Sequence, residues 1–137
     1  MDRVFLDANV LFSMAYTPDS RLLELRSLPG VTLVTSVYAL EEARRNLLAY
    51  SPDRVAVLER QPLGMTVIPG VRMAGLPDDA DLPDKDVPIL LAAIESGCTH
   101  LLTGDSRHFG ALYGRRVGGV LVLTPAQYLA GRGHGAG

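Results

Sequence analysis

Val4-Phe5-Leu6-Asp7-Ala8-Asn9-Val10-Leu11 decides how this chain is read. Three large apolar residues in a row, too few for a helix, read as a strand buried on both faces, as strands of parallel sheets are. A carboxylate ends the run, and the segment from Val10 to Tyr16 has helical character. In a parallel α/β sheet the strand ends and the helices that follow them converge on one crevice. Asp7 stands where that crevice would open.

Working outward, the chain keeps alternating between short strands and helices. Pro18 breaks the first helix, and Asp19 or Ser20 is positioned to cap a second one carrying Leu22, Leu23, Leu25 and Leu28. Residues 31–34 read as a β-branched strand. Thr35 or Ser36 then caps a helix with Val37, Leu40, Ala43 and Leu47 on one face. A short helix over 55–59 and a strand over 65–68 follow. The acidic, proline-bearing stretch 74–85 is the one long loop expected. Asp86 reads as the cap of a helix over 87–96, with Gly97 as its stop. A strand over 99–103, a short helix over 106–112, a strand over 120–123 and a final helix from Pro125 through Leu129 complete the order. The pattern predicts an α/β fold, a three-layer sandwich with a mainly parallel central sheet. We expect a single domain over 1–130 and a flexible glycine-rich tail over 131–137.

With 137 residues, 47% of them hydrophobic, the chain can bury an ordinary core, and no apolar run approaches the length of a membrane span. Its N-terminus has neither a cationic lead-in nor a long apolar stretch, so a soluble cytoplasmic protein is the expectation. Cys98 is the single cysteine, which excludes an internal disulfide and a cysteine-rich zinc site. The net charge of −2 is unevenly spread: residues 78–86 hold five aspartates and one lysine, leaving twelve Lys/Arg and ten Asp/Glu elsewhere. That remainder is mildly basic and draws all its positive charge from arginine, whose guanidinium forks to phosphate.

Four acids lie beside segments expected in the core: Asp7, Glu42, Asp86 and Asp105. Gathered in one crevice, their carboxylates repel one another and resist desolvation unless a cation neutralises them, and oxygen ligands suit magnesium or manganese. Each also has a plain reading. Asp7 is an N-cap or a ligand, and Asn9 a cap or a hydrogen-bond partner of a ligand. Asp86 alone is a cap that favours the helix dipole. Glu41 and Glu42 point about 100° apart on a helix, so one of them at most serves a site. Arg44 falls within the apolar arc of its helix and is expected to snorkel. Asp78, Asp79 and Asp81 read as solvated, and Ser106 and His108 as capping or surface residues.

In this order the acids and their neighbours resemble the PIN-domain ribonucleases, in particular bacterial PIN-family toxins of toxin–antitoxin systems. The matching pieces are residues 4–11, Ser36-Val37-Tyr38-Ala39-Leu40-Glu41-Glu42, Asp84-Lys85-Asp86-Val87-Pro88-Ile89-Leu90, Leu101-Leu102-Thr103-Gly104-Asp105 with Phe109, and Val120-Leu121-Val122-Leu123-Thr124-Pro125 with Tyr128-Leu129. The resemblance spans residues 3–129. It selects Glu42 over Glu41, and it implies that Asp7, Glu42, Asp86 and Asp105 hold one or two Mg2+ or Mn2+ ions. Asn9, Asp84, Thr103 and Ser106 are auxiliary candidates. The activity implied is hydrolysis of single-stranded RNA by metal-activated water, leaving a 5′-phosphate, with a cognate antitoxin as partner.

Two rivals remain open on the sequence. One is a non-catalytic PIN-like module that binds RNA or protein. The other is a phosphatase-like domain with Asp7 as phosphoryl acceptor, which lacks a well-placed lysine because Lys85 lies between two aspartates. Leucine-rich stretches near 22–28 and 47–58 exceed what one small core needs, so a homodimer through the N-terminal helical half is expected.

Overall fold

The computed structural model describes residues 1–17, 21–62, 64–71, 75–77 and 80–136, with side chains as far as Arg132. Pro18, Asp19, Ser20, Ala74, Asp78 and Asp79, on which some expectations rest, lie outside the described residues. The strands are β1 (Asp2–Leu6), β2 (Val31–Ser36), β3 (Thr66–Ile68), β4 (His100–Leu102), β5 (Arg116–Val117) and β6 (Val120–Leu123). They form one sheet in the order β3-β2-β1-β4-β6-β5, parallel throughout except for the β5–β6 pair. The helices are α1 (Ala8–Tyr16), α2 (Val37–Tyr50), α3 (Val55–Arg60), α4 (Val87–Glu95), α5 (Ser106–Phe109) and α6 (Pro125–Ala136), joined by short 3-10 turns. The expected α/β sandwich around a mainly parallel sheet is what the chain adopts.

The strands form where apolar residues run together. Val4, Phe5, Leu6, Leu101 and Leu102 are completely buried, because helices cover a parallel sheet on both faces. Helices α1, α2 and α3 pack on one another, and α4 packs on β2 and β4. Ser36 caps α2 by accepting from the Ala39 N–H at 3.1 Å. The other candidate for that cap, Thr35, is tied instead to β1, donating to the Leu6 carbonyl at 2.9 Å. Gly97 stops α4 with φ +70, a backbone that an L side chain adopts only under strain.

Strand order reverses at β1. The chain moves outward to β2 and β3, then returns to place β4 on the other side of β1. Parallel sheets leave their ligand crevice at this switch point, beyond the carboxyl ends of the two strands. The residues that follow β1 and β4 are Asp7 and Thr103-Gly104-Asp105.

The structure corrects several expectations. Asp86 does not cap α4 through its side chain. It ends the 3-10 turn Asp84–Asp86 in a helical backbone conformation, and Pro88 in the first turn has no N–H for a cap to accept from. The β5–β6 hairpin was not anticipated, although Gly118-Gly119 between Val117 and Val120 is the two-residue signal for it. Both glycines have positive φ, and a Cβ on Gly118 would stand 2.8 Å from Ile94 Cδ1. Helix α6 runs on from Leu129 to Ala136, so the stretch expected as tail is helical that far. Part of the reason is Arg132, which donates to the Pro29 carbonyl at 2.9 Å and pairs with Asp2 at 3.4 Å. Of the seven leucines in those stretches, Leu25, Leu47 and Leu58 are buried, Leu22, Leu23 and Leu28 are partly buried against the core, and Leu48 is exposed.

Candidate metal centre and its neighbours

Asp7 leaves β1 as the first residue of the α1 turn and is 2% exposed. Its backbone carbonyl accepts from the N–H groups of Val10 and Leu11, starting the helix. Its carboxylate faces the sheet switch point. Oδ1 accepts from the Ala8 N–H at 2.6 Å, and Oδ2 accepts from Thr103 Oγ1 at 2.8 Å and Asn9 Nδ2 at 3.1 Å. Asp7 takes the cap position of α1, and Asn9, inside the helix, takes the other role open to it, as a hydrogen-bond partner of Asp7. Its amide also donates to Thr103 Oγ1 at 3.2 Å, and its oxygen accepts from the Gly104 N–H at 2.6 Å. A Cβ on Gly104 would approach that oxygen to 3.3 Å.

Thr103 joins this network to the next acid. Its hydroxyl accepts from the Asp105 N–H at 3.1 Å while donating to Asp7. The Tyr113 hydroxyl donates to the Thr103 carbonyl at 2.8 Å, holding the end of β4 from the far side of α5. The ends of β1 and β4 are thus locked together by side chains as well as by sheet pairing.

Asp105 caps α5, accepting from the His108 N–H at 3.2 Å. The same turn brings the His108 ring back over the crevice, because residues three apart share a helix face. His108 Nδ1 lies 2.9 Å from Asp105 Oδ2 and 2.9 Å from Asp86 Oδ2. Short as these separations are, Nδ1 and Asp86 Oδ2 are both buried without a properly angled hydrogen-bond partner. The ring still favours the ionised form of Asp86, chiefly through its charge. Asp86 itself is 4% exposed.

Glu42 enters from the second turn of α2. It is half-buried, and its charge acts on Asp7, while Asp86 and Asp105 act on it. Glu41 turns away and lines a cavity of about 250 Å³ with Val37, Leu40, Arg44 and Leu58. Arg44 lies along that apolar cleft with an exposed side chain, the snorkelling arrangement expected of it. The first turn of α2 is tethered to the Asp84–Asp86 turn by the Tyr38 hydroxyl, which donates to the Lys85 carbonyl. Of the auxiliary candidates, Asn9 and Thr103 are inside the network, whereas Asp84 and Ser106 are exposed at its margin.

Burial sets the electrostatics. It pushes Asp7 up from 3.8 to about 6, although the Thr103 and Ala8 hydrogen bonds oppose it and Glu42 and Asp86 add repulsion. Burial also raises Glu42, opposed by Lys85 and reinforced by Asp86. Asp86 is raised by burial, with His108 and Lys85 lowering it and Asp105 raising it. Asp7, Glu42 and Asp86 are each raised chiefly by desolvation, with repulsion from neighbouring carboxylates adding to it.

Among the described residues, Asp86, Asp105 and His108 form the group whose potential ligand atoms all lie within 4.8 Å of one another. Asp7 and Glu42 stand outside this compact trio and face it. The donor set suits a hard or borderline divalent cation, and the orphaned Asp86 oxygen is the atom such a cation would satisfy. His108, read from the sequence as a surface residue, is the member that was missed. Its spacing of three from Asp105 was the one signal available. The lone thiol, Cys98, is buried away from these residues beside Ser96, and burial raises it.

Asn9 also borders a cleft lined by Phe12, Ser13, Asn46 and Tyr50. Phe12 stacks on Tyr16 at 5.4 Å and meets Tyr50 edge-on at 6.3 Å, and both tyrosines are exposed.

The sequence matches no family model and no curated protein. Its fold does have solved counterparts. VapBC2 of Rickettsia felis, bound to a DNA fragment from its promoter, superposes with a TM-score of 0.63 at 12% identity, covering 89% of this chain and 98% of that one. VapC20 of Mycobacterium tuberculosis, a toxin that cleaves the sarcin-ricin loop, gives 0.57 at 17% identity over 79% of this chain and 94% of its own. FitAcB of Neisseria gonorrhoeae gives 0.55 at 19% identity, with 89% and 97% covered. At these identities the likeness is one of fold, and the fold is that of the PIN-domain toxins.

Proposed function

We propose that this protein is a metal-dependent endoribonuclease that cleaves single-stranded RNA, acting in the cytoplasm as the toxin of a toxin–antitoxin pair. One observation carries the reading: acids from four separate elements act on one another at the switch point of a parallel sheet, Asp7 and Asp86 buried, Glu42 and Asp105 half-buried. Mg2+ or Mn2+ would be held by Asp86 and Asp105, with Asp7 and Glu42 completing the acidic wall. When bound, the ion supplies a water of lowered pKa and charge compensation for the phosphodiester.

The chain's own residues do the rest. Thr103 and Asn9 fix the rotamer of Asp7, so its carboxylate is held in place before substrate arrives. Glu42, its carboxyl raised by burial, keeps an edge open to solvent beside the other acids. The exposed ring of Tyr50, set edge-on against the half-buried Phe12, offers a face on which an unpaired base stacks, in the cleft that Asn9 borders. Single-stranded substrate fits because a duplex would not present splayed bases to that face.

The structural counterparts support the partner as well, since VapBC and FitAB are two-component assemblies. A homodimer belongs to the same reading, its apolar motive resting on the exposed Val37 and Leu48 of α2. Purified protein with Mn2+ or Mg2+ should cut an unstructured RNA to 5′-phosphate products, and Asp7→Asn should lower the rate by at least about a hundredfold. RNA bound tightly but left intact at millimolar metal would instead favour the non-catalytic binding module.

A further inference from the structure

We infer that His108 Nδ1 is a direct ligand of the divalent ion, completing with Asp86 and Asp105 a mixed nitrogen–oxygen site that takes Mn2+ in preference to Mg2+. The inference rests on the metal-dependent reading above and adds to the acids a residue of different chemistry.

The geometry is the first argument. Nδ1 lies 2.9 Å from Asp86 Oδ2 and 2.9 Å from Asp105 Oδ2. Neighbouring ligand atoms on an octahedral ion with bonds of about 2.1 Å sit roughly 3 Å apart, so both separations match edges of such a polyhedron. The second argument is satisfaction. Asp86 is buried, and its Oδ2, like Nδ1, has no partner at a hydrogen-bonding angle. Two carboxylate oxygens converge on one ring nitrogen, and the three need a positive charge among them, either a proton on the ring or a metal ion in its place.

The third argument concerns positioning. The His108 N–H is held by Asp105 Oδ1 at 3.2 Å, so the carboxylate whose other oxygen faces Nδ1 also fixes the turn that presents the ring. Phe109, completely buried, anchors the same turn from the core side. The ring is therefore set by the fold and not by a surface rotamer. An imidazole donor discriminates among hard ions: magnesium demands oxygen and holds its water, whereas manganese accepts nitrogen readily.

Pulsed EPR of the Mn2+-loaded full chain tests this without reference to activity. The wild-type protein should show the ¹⁴N coupling of a directly bound imidazole, and His108→Gln should lose it. Calorimetric titration with each metal should show the preference for Mn2+ over Mg2+ falling at least about tenfold in His108→Gln. Thermal melts of the metal-free variant establish that it is folded. Mn2+ bound in an Asp86-dependent manner but without nitrogen coupling would overturn the role of His108 and leave the ribonuclease reading standing. No Mn2+ binding at millimolar concentration would overturn both.

Discussion

Asp7 and Asp86 are buried to nearly the same degree, 2% and 4% exposed, yet they live in opposite circumstances. Asp7 accepts three hydrogen bonds, from Ala8, Asn9 and Thr103. Among the described residues Asp86 Oδ2 has no partner at a hydrogen-bonding angle, and the His108 ring stands 2.9 Å from it. The first half of the crevice is finished by the fold, and the second half is left for something else to finish. Burial alone does not mark a ligand site; burial without partners does. In the Asp7 half the carboxylate is a structural hub whose hydrogen bonds join β1 to β4. In the Asp86 half the same chemical group contributes little to the fold and much to the crevice's appetite for a cation.

The largest effect that would sharpen this contrast is pH-dependent. Asp7 is pushed up to about 6 from 3.8, so the folded state holds its proton more tightly than the unfolded chain does. Below pH 3.8 the group is protonated in both states and imposes no penalty. Stability from this source is full there and is lost as pH rises through about 6, a swing of about 3 kcal/mol by pH 7. Denaturant titrations of the metal-free protein between pH 4 and 7.5 should show that decline, and Asp7→Asn should flatten it whatever its absolute stability. Saturating Mn2+ should restore stability at pH 7 and do little at pH 4.5, where protons compete. Parallel pH profiles for wild type and Asp7→Asn would mean that hydrogen bonds, not burial, govern this carboxyl.

Next in size is Thr103→Val. The change keeps the shape and deletes a hydroxyl that donates to Asp7 and accepts from Asn9 and Asp105. A charged group loses a donor and two N–H groups lose an acceptor, so we expect a loss of about 2 kcal/mol in chemical denaturation. The metal response should persist in weakened form, because the trio of Asp86, Asp105 and His108 is not cut directly. A neutral result would show that the Asp7 half is not the hub described above.

Much of this was legible before any coordinates. The succession of strands and helices along the chain follows from short apolar runs bounded by Pro, Gly and capping residues, and the placing of Asp7 and Asp105 at strand ends follows from the same punctuation. Thr103 and Asn9 could be named as auxiliaries because they flank those ends. What escaped was of two kinds. Strand β5 is two residues long, too short for periodicity, and only Gly118-Gly119 announces it. The contact of His108 with Asp86 joins segments distant in the chain, and a histidine in a short polar helix reads as surface until the α4 side of the crevice is in place. Asp86 holds the N-cap position read for it but makes no cap hydrogen bond, for a related reason: sequence shows where a carboxylate precedes a helix, but not whether the backbone ahead of it is already helical.

The smallest effect is the most discriminating. Asp86→Asn keeps the side chain's shape and removes a charge that burial and Asp105 disfavour and that His108 and Lys85 support. With no cap hydrogen bond to lose, the metal-free variant should melt within about 1 kcal/mol of wild type at pH 7, and the sign should favour the variant because the net pressure on the carboxylate is upward. Adding Mn2+ should then reverse the order. The wild-type midpoint rises as the ion satisfies the orphaned oxygen, while the variant, left with one fewer anionic ligand, stays near its starting value. Measuring both proteins with and without metal separates the two roles a buried acid can have. A metal-free loss well above 1 kcal/mol would make Asp86 a second structural hub and dissolve the contrast with Asp7. Reversal by metal would mark it as the residue around which the ion is held.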